Sequence, residues 1–287
     1  MVHASATGAG FIARYGPAGQ CRWAVPIAAG FDGVRMTSAT RAVAWGSVGK
    51  KVVFAPGQGN TITGTKDEPT TFLCSYDRDG SLDWVRPFPS SYEGGRYPSF
   101  GQATVCNGCL VLGGGVIVSG GPMSQPRRPP VWKQFVTRHD PDGKILSCKS
   151  GFSGSLASLA ADNSGRVIVA LKTKYPATAA TPAVTALTLS CLDKSGKQSW
   201  SHEFKPDIGS FWSSYLACDD KGLTYLCSGF RGTVDMDPGQ DTKLISGKRG
   251  ILVARFAADG RLMSSFVLEV EAREQSDVSS VERTECK

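Results

Sequence analysis

Five segments decide how this chain is read: FIARYGPAGQCRW (11–23), FLCSYDRDGSLDW (72–84), FVTRHDPDGKILS (135–147), LTLSCLDKSGKQSW (187–200) and LVARFAADGRLMS (252–264). Each runs as an alternating strand, a turn of the form x-D-x-x-G and a second alternating strand, which is the period-2 signature of a β-hairpin. Gly19, Gly80, Gly143, Gly196 and Gly260 close the turns, where a left-handed backbone suits a short loop. The first copy has Gly16 in place of the turn aspartate. Four residues after the glycine stands a tryptophan in three copies, Trp23, Trp84 and Trp200, placed to pack between neighbouring sheets.

A second hairpin accompanies each of the first four copies, with turns at Ser47-Val48-Gly49, Asn107-Gly108, Asn163-Ser164-Gly165 and Asp220-Lys221-Gly222. The flanking strands read AVAW/KVVFA, ATVC/LVLGG, SLAA/RVIVA and YLAC/LTYLC. Two hairpins in a period of about sixty residues make four strands, one blade of a β-propeller. The fifth copy stops one strand short, and VHASAT (2–7) precedes FIARY as the missing strand would. The fold expected is therefore all-β: a single five-bladed propeller with four antiparallel strands per blade, its ring closed by pairing of the N- and C-terminal strands. The blades fall at approximately 278–287 with 1–27, 36–88, 100–151, 155–204 and 211–270. Small residues open each innermost strand, at Ser38-Ala39, Gly101-Gln102-Ala103, Ala157-Ser158, Ser213-Ser214 and Ser279-Ser280, as a narrow axis requires.

Bulk properties agree with that class. The 287 residues are 41% hydrophobic and include 34 glycines, enough apolar material for a core and enough glycine for many turns. No run approaches the roughly 18 apolar residues of a membrane-spanning helix, and MVHASATGAG lacks the basic and apolar regions of a signal peptide. The net charge of +7 is spread along the chain, which fits an anionic partner and carries no specific nucleic-acid signature. Nine cysteines, mostly inside predicted strands, are read as buried thiols in a reducing compartment.

The stretch GSFWSSYLACDDKGLTYLCSGFRGTVDMDPGQDTKLISGKRGILVARFAADGRL (209–262) resembles the bacterial SBBP-type β-propeller repeats. Those repeats carry a D-x-x-G hairpin, a loop with D-x-D-P-G and a strand ending in a second D-x-x-G turn. The resemblance covers most of the chain and is densest in the fourth copy, which alone has Asp235-Met236-Asp237-Pro238-Gly239. It implies a propeller scaffold, often on exported or surface proteins, and no catalytic residues. A fainter similarity to quinoprotein propeller repeats rests on the x-x-G-x-x-x-W pattern.

Function is expected where the connections are long, since loops on a rigid scaffold carry most binding sites. On that face the sequence places Arg35, Arg96, Tyr97, Trp132, Phe211 and Trp212, with Arg127, Arg128, Phe230 and Arg231 nearby. Aromatic platforms beside arginines suit a carbohydrate, an acidic polymer or a protein ligand, and the expectation is a non-catalytic binding or scaffold propeller. The alternative is a glycan-acting hydrolase using Asp32, Glu93, Asp207 and Asp277 at the central funnel. His3, His139 and His202 occupy unrelated positions and form no triad by spacing. Asp235, Asp237 and Asp241 alternate as calcium ligands can, and Asp77, Asp79 and Asp83 do so in a turn that capping explains. Cys106-Asn107-Gly108-Cys109 has either half of a zinc knuckle or, more simply, a hairpin turn flanked by a cross-hairpin cysteine pair or two free thiols.

Overall fold

The structure, a computed structural model, describes residues 3–4, 10–55, 60–89, 91–92, 95–119, 131–179, 181–239 and 241–269. Every regular element among them is a strand. The first sheet holds β1 (His3–Ala4), β2 (Gly10–Tyr15) and β3 (Cys21–Ile27). The second holds β4 (Gly30–Met36) and β5 (Ala42–Val48), then, beyond a separate hairpin of β6 (Val52–Ala55) and β7 (Asn60–Ile62), β8 (Thr70–Tyr76) and β9 (Leu82–Pro87). The third runs from β10 (Ser91–Tyr92) through β11 (Gly95–Cys106), β12 (Cys109–Ser119), β13 (Val131–His139) and β14 (Ile145–Phe152). The fourth is β15 (Ser155–Ala161), β16 (Val167–Tyr175), β17 (Val184–Leu192) and β18 (Gln198–Phe204). The fifth is β19 (Ile208–Cys218), β20 (Thr224–Asp235), β21 (Leu244–Phe256) and β22 (Leu262–Glu269). The fourth and fifth are the two halves of one continuous eight-stranded sheet, joined among the described residues by a single parallel residue pair, Thr185 with Ser210. The terminal segment 278–287, expected to complete the first sheet, lies outside the described residues.

The turns recur because their chemistry does. Oδ1 of Asp77, Asp140, Asp162, Asp193 and Asp219 each accepts two backbone N–H groups, from the residues two and four positions on. A short polar side chain thereby satisfies donors that the turn would otherwise leave unpaired. At Asp162 burial alone would raise the carboxyl, but hydrogen bonds from Ser164 and Arg166 hold it below the usual carboxylate range. The Asn107-Gly108 turn is the mirror-image type, with φ of 50° and 73°, so Cys106 and Cys109 face each other across a hairpin.

One expected hairpin is overturned. AVAW does not turn back at Ser47-Val48-Gly49 onto KVVFA; β5 runs straight through Val48 and pairs with β4 and β8, while Val52–Ala55 pairs with Asn60–Ile62. The true turn is Thr37-Ser38-Ala39-Thr40-Arg41, closed by the Thr37 N–H on the Arg41 carbonyl at 3.0 Å. Ser38 and Ala39 therefore sit in an exposed turn rather than at the start of an innermost strand.

Four hydrophobic cores lie between successive sheets. Ile12 and Ile27 meet Phe31, Phe72 and Tyr76; Val43, Trp45 and Leu73 meet Phe100, Leu112 and Phe135; Val111 and Val136 meet Leu159, Val169 and Leu192; Leu187, Leu189 and Phe204 meet Leu226, Leu252 and Phe256. Burial of large side chains at each junction, about 1.5–3 kcal/mol apiece, is what holds sheet to sheet. Polar forks fix the alignment. The indole N–H of Trp23 donates to the Arg78 carbonyl at 2.8 Å, that of Trp84 to Pro141 at 3.1 Å and that of Trp200 to Ala258 at 3.1 Å, each carbonyl belonging to the turn of the next sheet. Arg14, Arg41 and Arg166 donate to the same three carbonyls. The third sheet has Ser147 at the tryptophan position, against Gly196.

The first long strand of each of the last four sheets touches the next in series, β4 with β11, β11 with β15 and β15 with β19. Each is bulged at the same place: between Phe31 and Gly33, Phe100 and Gln102, Leu156 and Ser158, and Phe211 and Ser214. A bulge bends and twists its strand and redirects the side chains around it.

Candidate functional site

The bulge in β19 builds a polar surface around one exposed tryptophan. It sends Trp212 outward, exposed, while its neighbour Phe211 turns into the core, 1% exposed, with its ring 5.1 Å from that of Phe230. The indole of Trp212 lies over Gly229, where a Cβ would stand 1.9 Å from Nε1, so only glycine on β20 seats the ring this way. From β16 the Lys172 ammonium donates to the Trp212 carbonyl. Around the indole opens a cleft of about 390 Å³ lined by Ser210, Trp212, Arg231, Lys248 and Arg249. Its residues come from the ends of β19, β20 and β21 farthest from the aspartate-capped turns.

Three cations thus line the cleft beside the exposed indole, and a fourth, Lys172, is held on the Trp212 carbonyl. No described carboxylate lies within ion-pairing distance of Lys172, Arg231, Lys248 or Arg249; the described ion pairs are Arg41 with Asp83 and Asp142, and Arg166 with Asp162. Such a surface can hold anionic groups through guanidinium and ammonium donors while a flat ring stacks on the indole.

Of the residues expected on this face, Trp212 and Arg231 line the cleft. Phe211 does not, since it is part of the hydrophobic core between the fourth and fifth sheets. Trp132 is exposed on β13 of the third sheet, packed beside Gly115 and apart from the cleft. Arg35 is exposed too, but residues 30–36 form a strand rather than a long loop, and Arg35 stands near the Thr37–Arg41 turn with Arg14, Tyr15, Trp23 and Met36 around a separate cleft of about 480 Å³. Arg96 and Tyr97 are on β11, with side chains outside the described residues, as are Arg127 and Arg128 altogether. Lys172, Lys248 and Arg249 were not anticipated. The outward alternation of β21 was the available signal, but only strand register brings them to Trp212.

The acidic candidates make local contacts. Asp235 Oδ1 accepts the N–H groups of Asp237 and Lys243, and Asp237 Oδ1 accepts that of Gly239 at 2.7 Å, so both carboxylates brace their own loop. Asp237 and Asp241 share a cleft with His202, Asp259 and Arg261, and among the described residues no three His, Cys, Asp or Glu side chains are grouped to hold a metal ion. Asp77 caps its turn, Asp83 pairs with Arg41 at 3.0 Å, and the eight described cysteines carry no disulfide. Asp32 occupies the β4 bulge, where burial raises its carboxyl although the side chain keeps some solvent access; Asp207 precedes β19 in another sheet, and Glu93 and Asp277 lie outside the described residues. His139 is enclosed in the core, and His202 stacks on Trp200 with ring centroids 5.1 Å apart. No family model matches the chain, and no curated protein is significantly similar to it.

Proposed function

We propose that this chain is a non-catalytic five-bladed β-propeller that binds an acidic polymer, in particular an acidic glycan, at the Trp212 cleft. A four-strand antiparallel order repeated four times, serial contact of β4, β11, β15 and β19, and tryptophan-to-turn forks at sheet junctions support the propeller reading. The binding reading is carried by one observation: Arg231, Lys248 and Arg249 line a cleft with the exposed Trp212 indole, Lys172 holds the Trp212 carbonyl, and no described carboxylate neutralises them. Sugar rings stack on aromatic faces, and their carboxylate or sulfate groups take up the guanidinium and ammonium donors. The net charge of +7 adds long-range attraction for a polyanion.

Calorimetric titration with polygalacturonate and with a neutral galactan tests this. The acidic polymer binds, more weakly as salt rises from about 50 to 200 mM, and the neutral one does not. Trp212→Ala and the double change Lys248→Ala, Arg249→Ala each weaken binding about tenfold or more, whereas Trp132→Ala leaves it unchanged. Equal affinity in wild type and in both cleft variants would remove the cleft from the reading.

A further inference from the structure

Each of the four cores lies between two successive sheets, which leaves one face of the first sheet and one face of the fifth without a partner among the described residues. Strand register shows what those faces carry. On the fifth, Tyr215, Cys227, Val253 and Phe266 align in one row, with Ile251 and Leu268 in the next. Tyr215 is 68%, Phe266 51% and Ile251 39% exposed. On the first, the outward pairs are Phe11 with Pro26, Ala13 with Ala24 and Tyr15 with Cys21, and Tyr15 is 46% exposed.

The same positions are covered wherever a neighbouring sheet exists. Residues five, three and one before the D-x-x-G turn face the preceding sheet: Phe72, Cys74 and Tyr76 on β8, and Leu252, Ala254 and Phe256 on β21, all buried. Their counterparts before Gly16 are Phe11, Ala13 and Tyr15. Residues six and four before the turn face the following sheet, as Leu187 and Leu189 do on β17; their counterparts before Ala257 are Ile251 and Val253. The open face of the fifth sheet is thus built as a surface that a following sheet covers, and that of the first as one that a preceding sheet covers.

We infer that these two apolar faces are the halves of one interface within a single chain, the fifth sheet seated on the first. The inference rests on the propeller reading and makes its closure specific. One detail marks the junction as unreinforced. Gly80, Gly143 and Gly260 each have a tryptophan ring against them, while no described residue lies within 4 Å of where a Cβ on Gly19 would be. The residue that would supply that ring, seven positions after Ala257 as Trp23 is after Gly16, is Ser264.

Ser264→Trp therefore places an indole opposite the Pro17 carbonyl and raises Tm by about 2–4 °C, with the chain still a monomer by sedimentation. Phe266→Asp and Tyr15→Asp each lower Tm by roughly 5–10 °C, and the double variant falls no further than the worse single one, because both break the same contact. The inference is overturned if Phe266→Asp leaves Tm within about 2 °C, as a solvated position would. It is equally overturned if the wild type sediments as a dimer that Phe266→Asp converts to a folded monomer, since the occupant is then a second copy. Polygalacturonate titration reports on the Trp212 cleft separately, so loss of glycan binding with these shifts intact counts against the ligand and not the interface.

Discussion

His139 shows how a single side chain ties this fold to pH. It is 1% exposed, with Nδ1 donating to the Gly143 carbonyl at 3.3 Å and Nε2 accepting from the Thr137 hydroxyl at 2.9 Å. Burial pushes its imidazole down from an ordinary 6.5 to about 4, so the ring is neutral in the folded chain. In the unfolded chain the ring protonates as pH falls through 6.5, and the unfolded state then binds more protons than the folded one. Stability supplied by the neutral ring is whole above about pH 7, declines from there and is exhausted near pH 4, a loss of about 3 kcal/mol over that window. Asp162 adds little to the measurement, because the stability its depressed carboxyl supplies is whole above the ordinary carboxylate range and starts to fall only as pH enters that range, where the unfolded chain protonates. Urea unfolding at pH 7.5 and 4.5 checks the expectation: His139→Gln loses about 2–3 kcal/mol less between the two than the wild type. Parallel losses in both proteins would mean that the ring is not held neutral.

Two turns of the same backbone shape separate strain from crowding at the level of the element. Gly19 and Gly143 both have φ of 78°, but a Cβ at Gly143 would stand 2.5 Å from the Trp84 ring. Gly19→Ala then costs only the left-handed conformation, about 1–2 kcal/mol, and Gly143→Ala adds a further 1–3 kcal/mol by displacing the indole from its turn. Thermal unfolding of the pair should show Gly143→Ala as clearly the less stable, and equal Tm values would mean the tryptophan contact carries nothing. These hairpins were legible in the sequence because aspartate capping and the turn glycine act within five residues. The Thr37–Arg41 turn was not, since threonines stand where the other copies place aspartate and glycine, and Gly49 nearby imitated the signal. Bulges were invisible for a related reason. One extra residue reverses every side chain beyond it. That reversal put Phe211 inside and Trp212 outside, so the aromatic half of the candidate site was named in part and most of its cations were gathered only by pairing between strands.

Over the whole molecule, the question is whether five sheets behave as a row or as a ring. In a row each sheet is stabilised only by its neighbours, and the end sheets open at less free energy than the middle ones. The first and fifth sheets would then exchange their amide protons far faster than the fourth, whose Leu187 and Leu189 lie at a covered junction. In a ring no sheet is terminal. The core strands β20 and β21, paired at Leu226 with Ala254, would be protected to within about tenfold of β16 and β17, paired at Ala170 with Leu189. Native-state hydrogen exchange followed by mass spectrometry resolves these segments, and the comparison needs no altered residue. Uniform protection requires that Tyr215, Ile251 and Phe266 be covered in solution, because a sheet wetted on one apolar face forfeits the burial that holds the other sheets closed. Graded protection, lowest at β2–β3 and β21–β22, would describe a row of sheets whose two apolar ends stay open.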